Sequence, residues 1–128
     1  MAEIPESHRD LLDTQILTLA TIDPAGRPQI TLVWFLTEKG LPRISMNTSR
    51  KKLRNLRNNP ACSACIVDPN NPYRFLEIRG DAEIEPDDDY TFAGRLGAKY
   101  NADVRQMDGP GESRVVVSIR PARINARS

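Results

Sequence analysis

RISMNTSRKKLRNLRNNP, from Arg43 to Pro60, is the stretch that decides the fold. Up to Asn47 it alternates apolar and polar residues with the period of a strand, and from Arg50 it changes to a helical pattern in which Leu53 and Leu56 share one side. Five cations, Arg50, Lys51, Lys52, Arg54 and Arg57, fall within this short helix, three of them in its first turn. Cations there oppose the helix dipole at a cost of about 0.3 kcal/mol or more each. Thr48 and Ser49 carry hydroxyls suited to an N-cap, and the first backbone N–H groups of a helix lack internal partners. A phosphate placed at this junction would meet donors, dipole and cations together. The plainer alternative is a solvated basic face that keeps the chain soluble.

Outward from this junction, Ile16 to Ile22, Pro28 to Thr37, Leu41 to Asn47, Cys62 to Asp68, Tyr73 to Glu85 and Arg114 to Ile124 read as six strands rich in Val, Ile, Thr and aromatics. Turn chemistry at Asp23 to Gly26 and at Glu38 to Gly40 makes the first three an antiparallel meander, with the basic helix leading to the fourth. Residues 5 to 14 are expected as a short helix with Leu11 and Leu12 inward. Pro86 and three aspartates open a second, carrying Tyr90, Phe92, Leu96 and Tyr100. Asn101 to Ser113, with Gly109, Pro110 and Gly111, is expected as a mobile loop. The fold class is therefore mainly β, a six-stranded antiparallel barrel, closed or split, with short connecting helices.

The 128 residues, 39% hydrophobic and 27% charged, suit one domain over 1–128. A net charge of +1 makes the positive potential local to the basic helix, which favours a small anionic ligand over nucleic acid. An RNA-binding helix would also interleave aromatics with its cations, and Arg50 to Asn59 has none. No apolar run approaches the ~20 residues of a membrane span, and no signal-like start is seen, so a cytoplasmic location is expected. Cys62 and Cys65 have C-x-x-C spacing but lie in a strand, where residues three apart face opposite sides roughly 10 Å from each other. They are expected to be structural, with no metal site.

Ser45, Asn47 and Thr48 bring polar groups to the strand end beside the basic helix. GRPQITLVWF upstream places Gln29 and Thr31 on one strand face and Trp34 on the other. Such a strand could wall a flat ring, with the Thr31 to Val33 amides meeting polar ring edges; Trp34 itself reads first as core.

In order and spacing, the G-R-P turn, the SRK-x-x-x-N-L helix start, its closing N-P and the R-G-x-A-E-I strand resemble the pyridoxamine-phosphate-oxidase-like split β-barrel superfamily, from about Leu11 to Ile124. Within it the chain is most similar to small oxidoreductases that use coenzyme F420, a deazaflavin. The resemblance implies a homodimer with cofactor sites at the subunit interface. Gln29, Ile30, Thr31 and Leu32 would lie against the ring system. Ser45, Met46, Asn47, Thr48, Ser49, Arg50, Lys51 and Lys52 would hold the ribityl and phosphate portion, and Tyr73 and Arg74 would come from the partner subunit. FMN is the alternative cofactor, since the SRK start is similar to the FMN-phosphate motif of the oxidases. The chain lacks their C-terminal substrate segment, however, and its cations continue through Arg54 and Arg57, where a phospholactyl-polyglutamate tail would use them.

The implied activity is hydride transfer from the reduced deazaflavin to a conjugated small molecule such as a quinone, enone or tetrapyrrole. Such a donor demands no acid or base from the protein beyond a proton source, for which water, Tyr73, Tyr90 and Tyr100 are candidates. His8, the single histidine, is expected at the surface, which argues against a Ser-His-Asp hydrolase. An FMN-dependent oxidoreductase and a noncatalytic cofactor carrier are the competing functions.

Overall fold

A computed structural model of the chain describes residues 2–128. The strands are β1 (Leu17–Ile22), β2 (Pro28–Val33), β3 (Leu36–Glu38), β4 (Leu41–Asn47), β5 (Ala61–Asp68), β6 (Asn71–Pro86) and β7 (Arg114–Arg127). Helix α1 (Lys51–Asn58) joins β4 to β5, and α2 (Thr91–Lys99) follows β6; 3-10 turns cover Glu6–Asp13 and Val104–Met107. All neighbours pair antiparallel in the order β2-β1-β5-β6-β7-β4-β3.

This order makes β2 and β3 the two edges of one sheet, although only Trp34 and Phe35 separate them in the chain. The sheet must therefore curl until its edges meet, and the result is a split barrel with a covalent seam. Seven strands replace the expected six because Pro28–Thr37 breaks at that seam. Phe35 is fully buried there, and its amide donates to the Tyr100 hydroxyl (2.9 Å) instead of to a strand. The meander survives around the corner as two hairpins, β1 with β2 and β3 with β4.

The main core fills the curl with Leu17, Leu19, Phe35, Ile44, Ile66, Leu76, Ile78 and Val117. Leu53 and Leu56 of α1 join it as the helical spacing predicts, and their burial contributes about 2 kcal/mol each. Buried Asn55 completes the docking of α1, its Nδ2 donating to Thr21 Oγ1 (3.1 Å) and Gln29 Oε1 (2.8 Å). A second cluster of Phe92, Ala93, Leu96, Val104 and Val116 seats α2 on the outer face. The buried Asp87 carboxylate caps that helix by accepting from the Phe92 and Ala93 amides. At the β6–β7 register shift, Gly80 lets the strands approach closely: a Cβ there would lie 2.0 Å from the Arg120 carbonyl oxygen.

Cys62 and Cys65 lie on β5 as free thiols, the first buried and the second half-buried. His8 is also buried, contrary to the surface expectation. Its Nε2 donates to the Arg127 carbonyl oxygen (2.7 Å), and its Nδ1 accepts from the Ser7 hydroxyl (2.8 Å), so it fastens the N-terminal turn to β7.

Candidate functional site

The β4–α1 junction opens into a cleft of about 640 Å³, within the range of small-molecule sites. Of the residues expected at a cofactor, Leu32, Ser45, Met46, Asn47, Ser49, Arg50, Lys51 and Lys52 line it. Val33, Trp34, Leu96, Val104 and Met107 supply an apolar side, and Arg54, Glu112 and Arg114 add charge. Gln29, Ile30, Thr31, Thr48, Tyr73 and Arg74 do not line it in this single chain. Ile30 and Leu32 are 66% and 68% exposed on β2, an edge strand whose outer backbone groups have no ladder partner among the described residues.

The helix start departs from simple capping. Arg50 occupies the N-cap, without a side-chain cap, because both expected hydroxyls are engaged elsewhere. Thr48 Oγ1 accepts from the Ser113 amide (3.2 Å), while the Ser49 hydroxyl and amide both donate to Asn47 Oδ1 (2.7 and 2.8 Å). Buried Asn47 is in turn oriented by Asp108, which accepts from its Nδ2 (2.8 Å). Asp108 also receives Arg114 Nη2 (2.7 Å) and Nε (2.9 Å) and the Tyr90 hydroxyl. The Arg114 guanidinium, with Tyr90 and Asn47 assisting, holds the Asp108 pKa down at about 2. The segment expected as a mobile loop thus carries the acid that organises the cleft wall.

Among the described residues, Arg50, Lys51 and Lys52 have no carboxylate within 4.0 Å. Lys52 is half-buried; burial, then Arg50 and Arg114, push its pKa below the ordinary value. Positive charge is therefore concentrated here without an internal counter-ion in contact, and the three cations suit a phosphate. Arg54 continues this charge along the rim, donating to the Ser49 carbonyl oxygen (3.2 Å). Arg57 does not: it borders a separate depression with Ile84, Pro86 and Val115.

Trp34 is both wall and packing residue, since its ring stacks on Tyr100 with centroids 4.3 Å apart and 4° between planes. The Tyr100 hydroxyl is held among Phe35 N, Phe35 O and Gln15 O, and that of Tyr90 is committed to Asp108. Tyr73 is 81% exposed. Arg74 is tied within its own chain, donating to Asp10 (2.6 and 2.9 Å), Asp68 (3.0 Å) and the Ser7 carbonyl oxygen (2.6 Å). The sequence reading missed Arg114, Asp108 and Glu112 at the cleft. The available signal was an acid-and-arginine pair flanking the Gly109–Gly111 turn.

The fold is a split barrel with a cationic cleft at one strand-to-helix junction, and the family it matches is one of oxidoreductases. The chain belongs to the pyridoxamine 5'-phosphate oxidase family, whose description matches residues 4–128. A pyridoxine/pyridoxamine 5'-phosphate oxidase of Burkholderia thailandensis is 31% identical over 98% of this chain and 57% of its own length. One of Burkholderia mallei is 31% identical over 93% and 59%. The chain thus spans less than two thirds of these curated relatives. Among solved structures, an F420 reductase superposes with a TM-score of 0.82 at 35% identity, covering 95% of this chain and 98% of its own. A conserved hypothetical protein from Mycobacterium tuberculosis gives 0.78 at 25% identity, covering 98% and 85%. Among the described residues, no helix is long and apolar enough to cross a membrane.

Proposed function

We propose that the chain is a coenzyme F420-dependent reductase of a conjugated small molecule, acting as a homodimer with cofactor at the subunit interface. The observation that carries this is the likeness to an F420 reductase across nearly the full length of both chains. The cationic rim supports it, since Arg54 prolongs the cluster further than one phosphate requires. When bound, the reduced deazaflavin supplies a hydride.

Arg50, Lys51 and Lys52 hold the phosphate, with Ser45, Asn47 and Ser49 offering polar contacts on the ribityl side. The apolar side from Leu32 to Trp34, with Met107, orients the ring and excludes water from it. Gln29 helps dock α1 through Asn55, and Thr48 acts by pinning the 101–113 segment. Ile30 and Leu32 present the exposed apolar surface a second copy would cover, and Tyr73 would reach the site across that contact. Tyr90 and Tyr100 have engaged hydroxyls, which favours water or the partner subunit's Tyr73 as proton source.

FMN is the second reading, favoured by the names of the curated relatives. Fluorescence titration of purified protein separates them: F420 is expected to bind tightly, and tight FMN binding with no response to F420 would overturn the proposal. Arg50→Ala with Lys52→Ala is expected to weaken the cofactor by about 2–4 kcal/mol, roughly two charge-assisted contacts.

A further inference from the structure

Glu112 brings a carboxylate into a cleft otherwise furnished with cations. Its position is fixed from both sides. Next to it, Thr48 N donates to the Ser113 carbonyl oxygen (2.9 Å) and Ser113 N donates to Thr48 Oγ1 (3.2 Å), extending the β4–β7 pairing past Arg114. On the other side Glu112 N donates to the Gly109 carbonyl oxygen (3.2 Å), and Glu112 Oε1 accepts from Gly109 N (2.6 Å). The turn so closed leaves the carboxylate near Ser49 and Asn47. The Gly109 amide, then the Ser49 and Asn47 side chains, hold its pKa below the ordinary value, so it is charged at neutral pH.

Despite the nearby cations, Glu112 forms no ion pair among the described residues. An unpaired carboxylate in the cleft that receives a phosphate lowers the positive potential there. Its charge penalises a doubly charged phosphate twice as much as a singly charged one.

We propose that Glu112 is a specificity-determining residue that filters the cofactor by phosphate charge, favouring a phosphodiester over a phosphomonoester. The proposal rests on the cleft holding the cofactor's phosphate. It supplies a discrimination that the cations alone do not, since Arg50, Lys51 and Lys52 attract the more highly charged group more strongly. F420 presents a singly charged phosphodiester where FMN ends in a monoester carrying about 1.5–2 negative charges. With Glu112 in place the excess attraction for the monoester is reduced.

The test is Glu112→Gln, which retains an oxygen to accept from Gly109 N and removes only the charge. Dissociation constants for FMN and F420 are measured by fluorescence on wild type, Glu112→Gln and Lys52→Ala. FMN is expected to tighten about five- to tenfold in Glu112→Gln and F420 by about half as much on a logarithmic scale, both effects shrinking as salt rises. An unchanged ratio of the two constants, or weaker binding of both, would overturn the filter. Lys52→Ala isolates the premise: if it leaves both constants unchanged, the phosphate does not bind in this cleft and the proposed function fails with it.

Discussion

Asp108→Asn preserves shape and removes one negative charge from the centre of the cleft wall. The side chains of Asp108 and its partner Arg114 are 3% and 11% exposed, so solvent screens their attraction weakly. Two estimates bound the effect. The fall in pKa from 3.8 to about 2, at about 1.4 kcal/mol per pKa unit, corresponds to about 2.4 kcal/mol of stability at neutral pH. Removing one member of a buried pair costs about 3–5 kcal/mol, because the other charge is left uncompensated. The variant is therefore expected to lose about 3 kcal/mol in urea unfolding at pH 7. The sign with pH follows from the depressed pKa: the contribution is complete above about pH 5 and is lost as pH falls through 3.8 and past about 2, to about pH 1. Over that window the wild type should lose about 2.4 kcal/mol more than the variant. Adding Arg114→Met to Asp108→Leu should recover much of the loss, since neither charge then remains buried alone. A cost below about 1 kcal/mol for Asp108→Asn, with an unchanged acid profile, would refute the assignment of this pair as a structural hub.

Gly80→Ala should destabilise by about 2 kcal/mol or more in thermal unfolding, because the added methyl meets the Arg120 carbonyl oxygen unless β6 and β7 separate. Tyr100→Phe removes the acceptor for the buried Phe35 amide and should cost about 1–3 kcal/mol, with a shift in Trp34 fluorescence reporting the altered stack. Burial raises the Cys62 thiol to about 11, so at pH 8 it should react with a thiol reagent only on unfolding, whereas half-buried Cys65, itself pushed up by burial and Glu77, should react slowly in the folded state.

Strand periods and the abrupt change at Arg43–Pro60 made the barrel and its helix legible, because those patterns are local. The seam was not: Trp34 and Phe35 continue a β-like pattern without glycine or proline, and the break depends on a hydroxyl 65 residues away. His8 was misplaced for the same reason, its partner lying 119 residues along the chain. At the site, the cations could be read because their placement defied the helix dipole. The roles of Thr48 and Ser49 could not, since choosing between capping and pairing needs the positions of Ser113 and Asn47. Arg114 was hidden as the first residue of an apolar strand, and its pairing with Asp108 across the Gly109–Gly111 turn was the one local mark of its role.

The seam has a mechanical consequence. Hydrogen-bonded barrels spread the work of closure over a ladder, whereas here a single covalent link of two residues fastens the β2 edge to the β3 edge. A protease cut between Val33 and Leu36 would release both edges at once. A cut in the Asp23–Gly26 turn would leave β2 held to β1 by six paired residues, whereas at the seam, among the described residues, no strand ladder backs the covalent link beside the cleft that Trp34 lines.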